Sequence, residues 1–218
     1  TEALLQPPPA GAGSDGGVQV SARPTQPRGT AAGTGAGGEP EPLRLLSISN
    51  DTETKNLRWL ARLLGELDTP QPWEWHVVGK IDKLPEAVDT AGIGKRTYLY
   101  GSQGPDELAG QLSRAALLLH PSTFESYGMV VADAVAAGVP VVANRVGGIP
   151  EIVRDDVDGR LLNPGSEAEW LTTLRRVLED TELRSRYQRG CRERRRELPR
   201  WSDSARCFTA AAQAKARG

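Results

Sequence analysis

From Leu43 onward, short apolar runs alternate with segments of helical periodicity, and that alternation restricts the fold more than any other feature of the sequence. The runs are "LRLLSIS" (43–49), "WEWHVVG" (73–79), "RTYLYG" (96–101), "ALLLHPS" (116–122), "VPVVAN" (139–144) and "GRLLNPG" (159–165). Between them, "TKNLRWLARLLGELD" (54–68) sets Leu57, Leu60, Leu63 and Leu64 at helical spacing. "LPEAVDTAG" reads as helical, and "GPDELAGQLSRA" (104–115) opens with a proline and acids suited to a helix N-terminus. A further helix is predicted from about Gly128 to Ala137, ending at Gly138. After the last run come "SEAEWLTTLRRVLED", "TELRSRYQRGCRERRREL" and "SDSARCFTAAAQAKA", a helical C-terminal extension. Strands this short and apolar, each followed by a helix, predict βα units: a parallel, Rossmann-like sheet covered on both faces, with right-handed crossovers. Such sheets bind ligands outside the carboxyl ends of their strands. The loops 49–54, 79–83, 101–105, 120–128 and 144–150 therefore form the predicted functional surface.

Residues 1–42 differ in kind, with "QPPPAGAGSDGG" and "GTAAGTGAGGEPEP" offering few large apolar side chains to offset ordering entropy. They are expected to be a flexible Pro/Gly/Ala-rich linker, with 43–218 as the folded domain. A net charge of −1 supplies no global field for nucleic acid or anionic lipid. No apolar run approaches the ~18–20 residues of a membrane span, and no signal-peptide pattern is present. Cys191 and Cys207 lack metal-ligand spacing and are expected to be free thiols in a cytoplasmic protein. "AGIGKRT" departs twice from a P-loop, with Asp89 where the first glycine belongs and Arg96 after the lysine. The Arg-rich run from Arg184 to Arg200 is interleaved with Glu193 and Glu197, the pattern of a solvated helix face. Tryptophans at 59, 73, 75, 170 and 201 fall on apolar faces and are expected in the core, and His76, within a strand, is expected to be structural. His120 ends a strand at the functional edge, where contact with a ligand and a purely structural hydrogen bond weigh about equally.

The richest stretch is "HPSTFESYGMVVADAVAAGVPVVANRVGGIPEIV" (120–153), where Glu125 and Asp133 flank a glycine turn at the start of a helix. The first backbone N–H groups of a helix lack partners and its dipole adds about half a positive charge, so phosphate binds there readily. Asp133 lies roughly 7 Å further along the helix at 1.5 Å per residue. An acid near a helix start is most often a cap or dipole partner. Asp133, however, sits among small and apolar neighbours, so little water is expected around it and an unpaired carboxylate there would be costly. Two acids around an anion-binding turn suit a ligand with hydroxyls at both ends and phosphates between, which describes a sugar nucleotide.

That stretch, with "DGRLLNPGS" after it, resembles the donor-binding signature of family-4 glycosyltransferases of the GT-B fold. The signature has two acids with seven residues between them and a glycine-containing turn. A G-x-P-V-V strand and a Gly-Gly-x-x-Glu loop follow. The resemblance runs from about Leu43 to about Ala212 and includes "LPRWSDSA", similar to the family's closing segment. It implies a retaining transfer of sugar from a nucleoside-diphosphate sugar, without cofactor or divalent metal. Glu125 would hold hydroxyls of the transferred sugar, and the backbone of Ser126, Tyr127, Gly128, Met129 and Val130 would face sugar and diphosphate. Asp133 would bind the ribose, Lys55 would neutralise the leaving group, and Gly101 and Ser102 would frame the base. Two positions depart from the pattern: Asp133 is one methylene shorter than the usual Glu, and Asn50 stands where the partner arginine of Lys55 belongs.

A GT-B enzyme works in a cleft between two Rossmann-like domains, and the resemblance covers the second. "LLQPPP" (4–9) resembles the segment that closes the first domain, so the chain reads as a donor-binding half whose acceptor domain lies elsewhere. It is expected to be inactive without that N-terminal domain or a separate partner chain. The competing reading, motivated by Asn50, is a non-catalytic nucleotide-sugar-binding or activating subunit. A dehydrogenase is disfavoured because "SISNDTET" replaces G-x-G-x-x-G after the first strand.

Overall fold

The computed structural model describes residues 41–198 and a two-residue strand, Gln19–Val20. Cys207, Trp201, the segment 202–216 and "LLQPPP" lie outside the described residues. Seven strands form one sheet: β1 (Gln19–Val20), β2 (Leu43–Ile48), β3 (Trp73–Val78), β4 (Thr97–Tyr100), β5 (Leu117–His120), β6 (Val141–Asn144) and β7 (Gly159–Leu162). Their order is β1-β4-β3-β2-β5-β6-β7, and every pairing is parallel. Within the stretch read as linker, Gln19 and Val20 pair with Tyr98 and Leu99 at the sheet edge.

Helices α1 (Leu57–Gly65), α2 (Leu84–Thr90), α3 (Pro105–Arg114), α4 (Met129–Ala137), α5 (Ile149–Ile152), α6 (Glu167–Glu179) and α7 (Thr181–Arg194) fill the crossovers and the C-terminal end of the described chain. Because strand side chains alternate between faces, the sheet feeds two cores. One gathers Leu60, Leu64, Trp75, Leu119 and Trp170; the other gathers Leu46, Leu118, Val131, Val135 and Val141. This is the Rossmann-like α/β arrangement expected from the alternation of apolar runs.

Two local differences have physical causes. Helix α1 starts at Leu57 rather than near Thr54, because Glu53–Lys55 form a 3-10 turn and Asn56 follows at φ 58°. Asn tolerates this left-handed conformation better than most residues, and the break turns the chain so that Lys55 stays at the sheet edge. The Arg-rich run is also less uniformly solvated than its pattern suggests. Arg184 donates to the carbonyls of Val177 (2.8 Å) and Leu178 (2.5 Å), and Arg194 donates to those of Ile152 (3.1 Å) and Glu151. These arginines cap the carbonyl ends of α6 and α5, whereas Arg189, Arg192, Arg195 and Arg196 are exposed. His76 is structural as expected, buried between Tyr98 and Tyr100 with Nδ1 2.9 Å from the Tyr100 hydroxyl.

Candidate active site

At the carboxyl ends of β2, β3, β4 and β5 lies a cleft of about 430 Å³. Four of the five predicted loops supply its lining. The fifth, after β6, does not line it but braces the loop that does. Buried Asn144 donates from Nδ2 to the carbonyls of Pro121 (2.8 Å) and Ser122 (3.0 Å), and its Oδ1 accepts from Trp170 Nε1 (2.9 Å). A little further on, the Gly148 N–H donates to the Ser126 carbonyl (3.1 Å). Gly147 adopts φ +51°, and a Cβ there would lie 1.5 Å from the Glu125 carbonyl oxygen, so only glycine permits this approach. The segment 121–126 is thus gripped along its length from behind.

On that braced loop, Glu125 meets two donors. Lys55 Nζ lies 2.6 Å from Glu125 Oε2, and His120 Nε2 lies 3.1 Å from the same oxygen. Lys55 is brought across the sheet because Thr123 donates its backbone N–H (2.8 Å) and hydroxyl (3.3 Å) to the Thr54 carbonyl. Burial by itself would raise the Glu125 carboxyl, but the Lys55 ammonium and the His120 N–H outweigh it and hold the group below its ordinary range. His120 is buried, and desolvation lowers its pKa despite the pull of Glu125. Its imidazole is therefore neutral near pH 7. Since a carboxylate can only accept, its proton sits on Nε2. Both donors converge on Oε2, and Glu125 Oε1 has no partner among the described residues.

Next to the acid begins α4. Gly128, at φ +98°, is its N-cap, and a Cβ there would meet Ile149 Cδ1 at 2.4 Å. The Gly128 carbonyl accepts from Val131 (2.9 Å) and Ala132 (3.0 Å). The backbone N–H groups of Ser126, Tyr127, Gly128, Met129 and Val130 have no partner among the described residues. Unpaired N–H groups at a helix start, beside a lysine, make an anion-receptive surface.

Asn50, Lys55, Ser102, Glu125, Ser126, Tyr127, Gly128, Met129 and Val130 all line the cleft. Gly101 does not; its carbonyl accepts the Gly79 N–H at 3.3 Å and closes the wall behind. Asn50 contributes no free amide oxygen, because its Oδ1 accepts the Lys80 backbone N–H at 3.0 Å.

Asp133 also lies off the lining, and the dry environment expected for it is not found. Helix α4 buries Val131, Ala134 and Val135, which turns Asp133 outward into an exposed position. It stands four residues after Met129 and three after Val130, on their face of the helix and one turn beyond the cleft rim. It has no hydrogen-bond or ion-pair partner among the described residues, and local desolvation still raises its pKa. Gly79 and Gln103, in the predicted loops 79–83 and 101–105, line the cleft as well, and so does Leu108 of α3, which the sequence did not mark.

A lysine, a polarised carboxylate and a bare helix N-terminus gathered at the carboxyl edge of a parallel sheet define an anion-receptive site on a Rossmann-like α/β domain. The chain belongs to the glycosyl transferases group 1, whose family model matches residues 36–194. It is 42% identical to a D-inositol 3-phosphate glycosyltransferase from Nocardioides sp., over 46% of this chain and 22% of that protein. In structure it is similar to Anabaena Alr3699/HepE, solved in complex with UDP and glucose. The TM-score is 0.70 at 20% identity, covering 78% of this chain and 48% of that one. It is also similar to the C-terminal domain of LpcC, a glycosyl transferase group 1 family protein from Francisella tularensis. Here the TM-score is 0.61 at 22% identity, covering 70% of this chain and 85% of that one. The chain spans about a quarter of the length of the curated relatives it matches. Among the described residues, no helix is long and apolar enough to cross a membrane.

Proposed function

We propose that this chain is the donor-binding half of a retaining glycosyltransferase that takes a sugar from a nucleoside diphosphate. It corresponds to the second domain of a GT-B enzyme, in family 4. The observation that carries this reading is the convergence of Lys55 and His120 on one oxygen of Glu125, beside the unpaired N–H groups of 126–130. Lys55 and the α4 N-terminus stabilise negative charge as the bond between the anomeric carbon and the diphosphate oxygen breaks. Glu125 Oε1 accepts a sugar hydroxyl, while Asp133, at the rim, takes ribose hydroxyls. The similarity to a C-terminal domain solved alone, and to a protein solved with UDP, supports this placement. The acceptor site is then supplied by a first domain or a partner chain.

Binding is tested by a thermal-shift panel of nucleoside diphosphates and their sugar conjugates. A ligand at a hundred times its dissociation constant adds about 2.7 kcal/mol of stability. Joint replacement Glu125→Ala with Asp133→Ala is expected to abolish the shift from the preferred conjugate; an undiminished shift contradicts the assignment. Asn50 favours a second reading, a binding subunit with reduced chemistry, because it brings no positive charge where the pattern has an arginine: its Oδ1 accepts the Lys80 N–H at 3.0 Å, and only a neutral amide nitrogen is left to donate. Donor hydrolysis by this chain, alone or with its acceptor half, contradicts that second reading.

A further inference from the structure

The cleft is chemically divided. Lys55, His120 and Glu125 concentrate charge at the β5 side, whereas Val78, Leu108 and Gln103 give an apolar wall and one amide toward β4. Strands β4 and β5 are separated by β3 and β2, so these two sides stand roughly 14 Å apart at about 4.8 Å per strand. That span matches a sugar, a diphosphate and a nucleoside laid across the edge, with the flat heterocycle at the Gln103 side. This placement rests on the nucleotide-sugar reading above.

The orientation of the Gln103 amide is fixed by a chain of hydrogen bonds behind it. Arg44, on β2, donates through Nη2 to Gln111 Oε1. A guanidinium has no acceptor, so this end cannot reverse. Gln111, on α3, is 1% exposed, so water cannot readily substitute for either partner. With its oxygen committed to Arg44, Gln111 can offer only its nitrogen onward. Its Nε2 donates to Gln103 Oε1 at 3.0 Å. The Gln103 carbonyl is thereby turned toward α3, and its Nε2 has no partner among the described residues.

We propose that Gln103 selects the base by presenting amide N–H donors to an exocyclic oxygen. The site then takes nucleotides whose pyrimidine C4 or purine C6 bears that oxygen: uracil and thymine with O4, and guanine with O6. Adenine sets its N6 amino group and cytosine its N4 amino group at that same position, facing another donor and leaving both unpaired, which is costly in a partly dry site. Arg44 and Gln111 act as positioning residues, because they touch Gln103 rather than the nucleotide.

The test is a calorimetric titration of UDP, GDP, ADP and CDP into the full chain and three variants. Wild type is expected to bind UDP or GDP at least about tenfold tighter than ADP and CDP, the ratio one lost hydrogen bond produces. Gln103→Glu, which replaces the donor by an acceptor, erases or inverts that ratio. Gln111→Met frees the Gln103 amide to rotate and shrinks the ratio, as does Gln103→Ala, which needs no rearrangement of the buried chain. Equal binding of all four nucleotides by wild type overturns the base assignment and leaves the diphosphate site standing. A preference unchanged in Gln103→Glu overturns it as well. Absence of binding by any nucleotide overturns both this inference and the functional reading beneath it.

Discussion

Lys55 and Glu125 illustrate how one side chain sets the state of another. A part-buried carboxylate 2.6 Å from an ammonium is held ionised below its ordinary pKa, even though burial opposes this. Replacing Lys55 by Met removes the cation from the cleft and one donor from Oε2. The expected result is a loss of about 1.5–3 kcal/mol in nucleoside-diphosphate affinity, the range for a hydrogen bond to a charged group. Nucleoside affinity should change far less; titration of both ligands checks this. His76 makes a separate prediction about stability. Burial and the positive charges of Arg44 and Arg114 push its pKa down to about 3, despite Glu74 Oε2 at 3.2 Å. The folded state therefore keeps the ring neutral while the unfolded chain binds a proton below its ordinary value near 6.5. Its contribution to stability is complete above that value and is lost as the pH falls toward 3, by at most about 1.4 kcal/mol per unit. Urea unfolding at pH 7.0 and 5.5 should show a drop that is smaller in His76→Gln.

Elements, rather than single residues, decide where the site forms. The strand–helix alternation was legible because each apolar run is short, bounded by polar turns and followed by a change of periodicity. Glu125, Gly128 and the start of α4 could likewise be read, since a glycine before an apolar helix marks an N-terminus. The environment of Asp133 could not: its neighbours in sequence are apolar, but Val131, Ala134 and Val135 take the inward face and leave it outside. The place of Gln103 in the loop 101–105 was legible, but the orientation of its amide was not, because it is set through Gln111 by Arg44, which is distant in sequence and brought near only by packing. The role of Asn144 was invisible for the same reason. Its amide ties β6 to the Glu125 loop and to Trp170 of α6, whose ring meets Trp59 of α1 edge-on at 5.6 Å. Asn144→Leu keeps the volume but leaves two buried carbonyls and one indole N–H unpaired. A stability loss of at least about 2 kcal/mol is expected, together with weaker donor binding; denaturant unfolding and titration would reveal stability loss without any binding defect if the loop were held by other contacts alone.

At the scale of the molecule, a seven-stranded parallel sheet with helices on both faces brings Lys55, His120, Glu125 and the unpaired N–H groups of 126–130 together on one edge. The central claim is that this edge holds a nucleoside-diphosphate sugar, with Glu125 reading the sugar. The most direct measurement is a calorimetric titration of UDP, GDP and their glucose, galactose, mannose and N-acetylglucosamine conjugates into wild type and Glu125→Ala. At least one conjugate is expected to bind wild type about tenfold tighter than its bare nucleotide, the gain from one charge-assisted hydrogen bond. That gap should vanish in Glu125→Ala while the bare nucleotide still binds. Conjugates that bind wild type no better than bare nucleotides, or a gap that persists in the variant, contradict the account.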